Sequence, residues 1–120
     1  MDMKKVLIAE DNDSNYILMT YILKKYYQFE RAKNGQEAVE MAEKGGFDIV
    51  LMDIKMPVMD GLEATKAIRE KLPDLPIVAL TANAFDSDRT LALEAGCNDF
   101  LPKPVSSDAC LQTIKNLLGE

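Results

Sequence analysis

Four short apolar runs, each leading into a charged or hydroxyl residue, constrain this chain more than any other feature. Val6-Leu7-Ile8-Ala9 leads to Glu10-Asp11, and Phe47-Asp48-Ile49-Val50-Leu51-Met52 leads to Asp53. Pro76-Ile77-Val78-Ala79-Leu80 leads to Thr81, and Phe100-Leu101-Pro102 leads to Lys103-Pro104. Runs of this length between turn signals read as buried strands, and strands buried on both faces belong to parallel sheets. The carboxyl ends of parallel strands share one edge, and open α/β sheets bind ligands at that edge. Three carboxylates, one hydroxyl and one ammonium are therefore expected in one place.

Helical patterns separate the runs. Ile17, Leu18, Tyr21, Ile22 and Lys25 recur at helical spacing after an N-cap at Asp13 or Ser14. A weaker strand around Phe29–Ala32 follows, too polar for a buried position and suited to a sheet edge. Asn34-Gly35 turns into a second helix with Ala38, Val39, Met41 and Ala42 as its buried stripe, stopped by Gly45-Gly46. Leu62–Leu72, roughly Asp86–Glu94, and a last helix capped by Ser106 or Ser107 and running to Leu118 complete the alternation. Such alternation predicts an α/β fold: a five-stranded parallel sheet with helices on both faces, joined by right-handed crossovers. The most economical strand order is 2-1-3-4-5, flavodoxin-like and doubly wound, with the first and third strands adjacent at the switch point.

A chain of 120 residues makes one domain, here read as 1–120 with no output domain. A net charge of -6 without a basic tract argues against direct nucleic-acid binding and against an anionic membrane surface. No apolar run approaches the about 20 residues of a membrane span, and no signal peptide is recognisable, so a cytoplasmic location is expected. Cys97 and Cys110 are too widely spaced for a redox motif and have no histidine to share a zinc ion with. The lack of any histidine also excludes an imidazole base or a phosphohistidine within this chain.

With strands one and three adjacent, Glu10, Asp11 and Asp53 crowd together. Two carboxylates at ~4 Å repel by about 4 kcal/mol at an effective dielectric near 20, so either pKa values rise or a cation neutralises the cluster. An all-oxygen donor set selects a hard ion of the Mg²⁺ type. An ion, a lysine and a hydroxyl are also the equipment for holding a phosphoryl group. Asp53, in the middle of the edge, is the candidate nucleophile, with Thr81 and Lys103 expected on its far side. Glu10 and Asp11 on the near side suit the metal.

Taken in order, Glu10-Asp11, Asp53, Met56-Pro57-Val58-Met59-Asp60-Gly61, Thr81-Ala82 and Lys103-Pro104 resemble the response-regulator receiver domain of two-component signalling, the chemotaxis-regulator-like type. The resemblance covers essentially the whole chain. Its style, in Asn12, Asn15, Pro57–Thr65 and Leu80–Ala84, is most similar to receivers of hybrid histidine kinases. The resemblance implies that Asp53 accepts a phosphoryl group from a histidine kinase or a histidine phosphotransfer protein. It also implies Mg²⁺ held by Asp11, Asp53 and the Lys55 backbone carbonyl, with Glu10 acting through water. Thr81 and Phe100 would form a switch, Pro104 would be a cis proline, and Lys55 and Asn83 would tune the phosphoryl lifetime. A downstream protein would dock on the face formed by the fourth helix, last strand and last helix, with a phosphorylation-dependent homodimer left open. The chain is then either a stand-alone regulator or one domain of a longer protein. Two other readings are a degenerate receiver that only binds proteins and a haloacid-dehalogenase-like phosphatase. The second needs an acid two residues after Asp53, where Lys55 stands.

Overall fold

A computed structural model describes residues 3–82 and 87–120, with the Ser87 side chain left aside. Its elements alternate in chain order: β1 (Lys5–Ala9), α1 (Asp13–Leu23), β2 (Gln28–Ala32), α2 (Gly35–Lys44), β3 (Ile49–Asp53), α3 (Gly61–Lys71), β4 (Ile77–Thr81), α4 (Ser87–Ala95), β5 (Asp99–Pro102) and α5 (Ser107–Leu118). The sheet order is β2-β1-β3-β4-β5 and every pairing is parallel. This is the flavodoxin-like architecture expected from the alternation.

Strand periodicity divides the core. Leu7 and Ala9, Val50 and Met52, and Ile77 and Ala79 face α2, α3 and α4 through Ala38, Ala42, Ala64, Ile68 and Ala92. Val6 and Ile8, Ile49 and Leu51, and Val78 and Leu80 face α1 and α5 through Met19, Leu23, Cys110 and Ile114. All of β3 and β4 is buried, which explains their unbroken apolar sequence. The exposed and half-buried residues of β2 alternate up to Ala32, as an edge strand requires. Both cysteines are buried and free, and burial raises both thiol pKa values, that of Cys110 to about 12.

Helix α1 departs from expectation twice. Its N-cap is Asn12, whose side chain accepts from the Asn15 amide, rather than Asp13 or Ser14. Its buried residues are Met19, Ile22 and Leu23, whereas Ile17, Leu18 and Tyr21 of the expected stripe are exposed. The helix is apolar on most sides, so spacing alone could not choose the buried one. The other described caps, Asn34, Asp60 and Ser106, each accept from the amide three residues on. Helix α4 is described from Ser87, and the expected start at Asp86 lies outside the described residues.

Candidate phosphoacceptor site

The parallel register places the ends of β1, β3 and β4 side by side, Ala9 against Met52 and Asp53 against Leu80. Glu10 and Asp53 are thereby buried, while Asp11 is exposed at the rim. One carboxylate oxygen from each lies within 4.8 Å of the other two. A cleft of about 240 Å³ opens over them, lined also by Asn15, Lys55, Thr81, Asp88 and Lys103.

The Lys103 amide donates to the Thr81 carbonyl at 2.8 Å, which holds the residue at this edge, and the Lys103-Pro104 peptide bond is cis. Its ammonium lies 3.0 Å from Asp53 Oδ2 and 3.2 Å from Glu10 Oε1. Lys103 therefore bridges the two carboxylates instead of standing only on the far side of Asp53. Burial works to lower the Lys103 pKa, but the Asp53 hydrogen bond and charge, then those of Glu10, outweigh it and raise the pKa. One ammonium does not neutralise the cluster. Burial, then the hydrogen bond and charge of Asp53, push Glu10 up to about 7 despite Lys103. Glu10 Oε2 is buried without a hydrogen-bond partner among the described residues.

Neighbouring backbone holds Asp53 in place. Its Oδ1 accepts from the Lys55 amide at 3.2 Å. Behind it, the Gly61 amide donates to the Ile54 carbonyl at 2.7 Å, and a Cβ on Gly61 would fall 2.1 Å from the Asp53 carbonyl oxygen. Only glycine permits that approach of α3 to the end of β3. The intervening loop turns sharply at Val58, a β-branched residue with φ of 68°, which is a strained conformation.

Three residues at this edge were not legible as such in the sequence. Arg31 of β2 donates to the Glu10 carbonyl at 3.0 Å, pairs with Asp13 at 2.9 Å and stacks over Tyr16, so the polar edge strand braces the acidic loop. Asp88 of α4 accepts from the Thr81 hydroxyl at 3.2 Å. Arg89 lies over the Phe100 ring, 5.0 Å from its centroid. Phe100 is half-buried against the α2–α3–α4 side of the core. Asn83 lies outside the described residues.

The sequence of residues 6–115 matches the family profile described as "Response regulator receiver domain". The chain belongs to this family. The receiver is 44% identical over 131 residues to hybrid signal transduction histidine kinase B of Dictyostelium discoideum. That match covers 97% of the receiver but only 7% of the kinase's length. Among solved structures, it resembles the receiver domain of sensor histidine kinase PA1611 from Pseudomonas aeruginosa PAO1. The TM-score is 0.92 at 36% identity, covering 98% of this chain and 99% of that one. That crystal structure has a magnesium ion coordinated in the active-site cleft. The receiver domain of Ssk1 from Saccharomyces cerevisiae, crystallised with the histidine phosphotransfer protein Ypd1, superposes with a TM-score of 0.87 at 37% identity. That match covers 97% of this chain and 89% of that one. A receiver is a signal-transduction domain and not a turnover enzyme, so the phosphatase reading falls. Among the described residues, no helix is long and apolar enough to cross a membrane.

The acidic cluster fits a divalent cation. Its donors are all oxygen, Glu10 Oε2 has no hydrogen-bond partner among the described residues, and burial, reinforced by the neighbouring Asp53, pushes Glu10 upward.

Proposed function

We propose that this receiver is a phosphorylation switch in which Asp53 takes a phosphoryl group from a partner phosphohistidine. The observation that carries the reading is the Lys103 ammonium held between Asp53 and Glu10 at the floor of an acidic cleft. An Asp53 carboxylate oxygen attacks phosphorus in line; the P–O bond forms as the donor's P–N bond breaks, and the imidazole leaves. Lys103 already contacts one Asp53 oxygen and neutralises charge gathering on the equatorial phosphoryl oxygens. Asp11, Asp53 and the Lys55 carbonyl would hold Mg²⁺, with Glu10 acting through water. The bound ion supplies charge neutralisation and orientation of the phosphoryl oxygens.

The donor, a histidine kinase or histidine phosphotransfer protein, needs a landing surface beside the cleft. The exposed Ile17, Leu18 and Tyr21 of α1 provide an apolar one, a turn beyond the cleft-lining Asn15. The Ypd1 complex of the Ssk1 receiver supports a donor of this class. After transfer, Thr81 moves toward the phosphoryl group and Phe100 follows. The α4–β5–α5 face then changes its affinity for a downstream protein by population shift. On this reading the domain acts in phosphorelay signalling in the cytoplasm.

Intact-protein mass after incubation with acetyl phosphate tests the reading, with and without Mg²⁺. One phosphoryl adduct that requires Mg²⁺ and is missing in Asp53→Asn is expected. An adduct of equal yield in that variant would place the phosphoacceptor elsewhere.

A further inference from the structure

The first turn of α4 touches both switch residues through consecutive side chains: Asp88 accepts from Thr81 and Arg89 covers Phe100. A hydroxyl has one proton, so a Thr81 that donates to Asp88 cannot donate that proton to a phosphoryl oxygen on Asp53. Asp88 also lines the same cleft as Glu10, Asp11 and Asp53. A phosphoryl group arriving there brings further negative charge and repels the Asp88 carboxylate. The same event thus offers Thr81 a new acceptor and drives its old one away.

We propose that Asp88 is a positioning residue which holds the Thr81 hydroxyl in the unphosphorylated arrangement, and that Arg89 beside it couples release of Thr81 to uncovering of Phe100. The inference rests on the phosphoacceptor reading above and adds a resting-state latch to it. Asp88 retracts from the cleft, the α4 turn moves with it, and Arg89 leaves the face of the Phe100 ring. The ring is then free to change its packing against β5 and α4. Coupling runs through one helical turn because the two residues are neighbours in the chain.

The test compares Thr81 methyl and Phe100 ring resonances in free protein and in protein saturated with Mg²⁺ and beryllofluoride, a phosphoryl mimic. In free Asp88→Ala, both sets should lie part-way toward their beryllofluoride-bound positions. Labelling by acetyl phosphate should also be about fivefold faster, the equivalent of one hydrogen bond of about 1 kcal/mol. Asp88→Asn keeps an acceptor oxygen and should shift them less. Free Asp88→Ala resonances that coincide with wild type overturn the proposal, as does an equal shift in Asp88→Asn. Should Asp88→Ala lose its folded spectrum, Arg89→Ala decides, because it alters an exposed side chain. It should move the Thr81 methyl as well as the Phe100 ring, and a shift confined to Phe100 would refute the coupling. Wild type that takes up neither beryllofluoride nor phosphoryl group defeats the phosphoacceptor reading, and this one with it. An adduct in wild type with an unmoved Asp88→Ala defeats the latch alone.

Discussion

The two edges of the sheet are made from the same strands and treat polar groups in opposite ways. At the amino edge, charges and amides find partners. The Lys5 amide donates to Asp48 at 2.8 Å, and the Lys5 ammonium pairs with Glu30. Asn98 Oδ1 accepts from the Ile77 amide at 2.9 Å and from Arg69 at 2.7 Å, while Arg69 also ties down the Gly96 and Leu72 carbonyls. Tyr27 donates to Glu120 at 3.0 Å. At the carboxyl edge, two buried carboxylates share one ammonium beside a third carboxylate, a buried Glu10 oxygen lacks a hydrogen-bond partner among the described residues, and Val58 is strained. Tension is concentrated where a divalent cation would relieve it, and the opposite edge supplies the stability that tolerates it.

This contrast can be broken from either side. The largest effect expected is loss of phosphoryl uptake in Asp53→Asn with the fold retained, read by intact mass and amide dispersion. Gly61→Ala forces a methyl against the Asp53 carbonyl. It should cost about 3 kcal/mol in urea unfolding and slow labelling as well, since it displaces Asp53, the proposed phosphoacceptor. Arg69→Ala, at the other edge, should cost about 2 kcal/mol through three lost hydrogen bonds yet leave the labelling rate unchanged. A labelling defect there would show that the edges are not separable.

The pH dependence of stability distinguishes the edges too. Folding raises Glu10 from 4.5 to about 7, so the folded state binds its proton more tightly than the unfolded chain does. That contribution is complete below 4.5 and is lost as pH rises through 7. Stability measured without divalent cations should fall across that window, and a Glu10→Gln variant should flatten it. Tyr27, raised from 10 to about 12, has the same sign, so its contribution disappears only as pH rises through that alkaline range. The smallest effect is expected at Val58→Gly. Relief of a left-handed β-branched residue, offset by glycine entropy, should leave a gain of about 1 kcal/mol or less.

The sheet order was legible because β3 and β4 are buried on both faces and have no polar residue before their ends. The acidic cluster was legible because strand ends are the one place where topology alone brings distant residues together. The N-cap of α1 was not, since Asp11-Asn12-Asp13-Ser14 offers four capping side chains in a row. Its buried face was hidden by apolar residues on both sides, of which Ile17, Leu18 and Tyr21 face outward. The reach of Lys103 back to Glu10 was not legible, because strand order fixes where its Cα lies and not how far its side chain extends. Arg31, Asp88 and Arg89 act through contacts made across elements, and no spacing within the sequence announces them.

Strand β3 has one more consequence. Every residue from Ile49 to Asp53 is buried, and the strand pairs along both sides, with β1 and with β4. Its amides can meet solvent deuterium only when the whole domain opens, so their exchange rates report global stability directly. The residue proposed to receive a signal lasting a limited time thus sits on a strand that is buried throughout and paired on both sides.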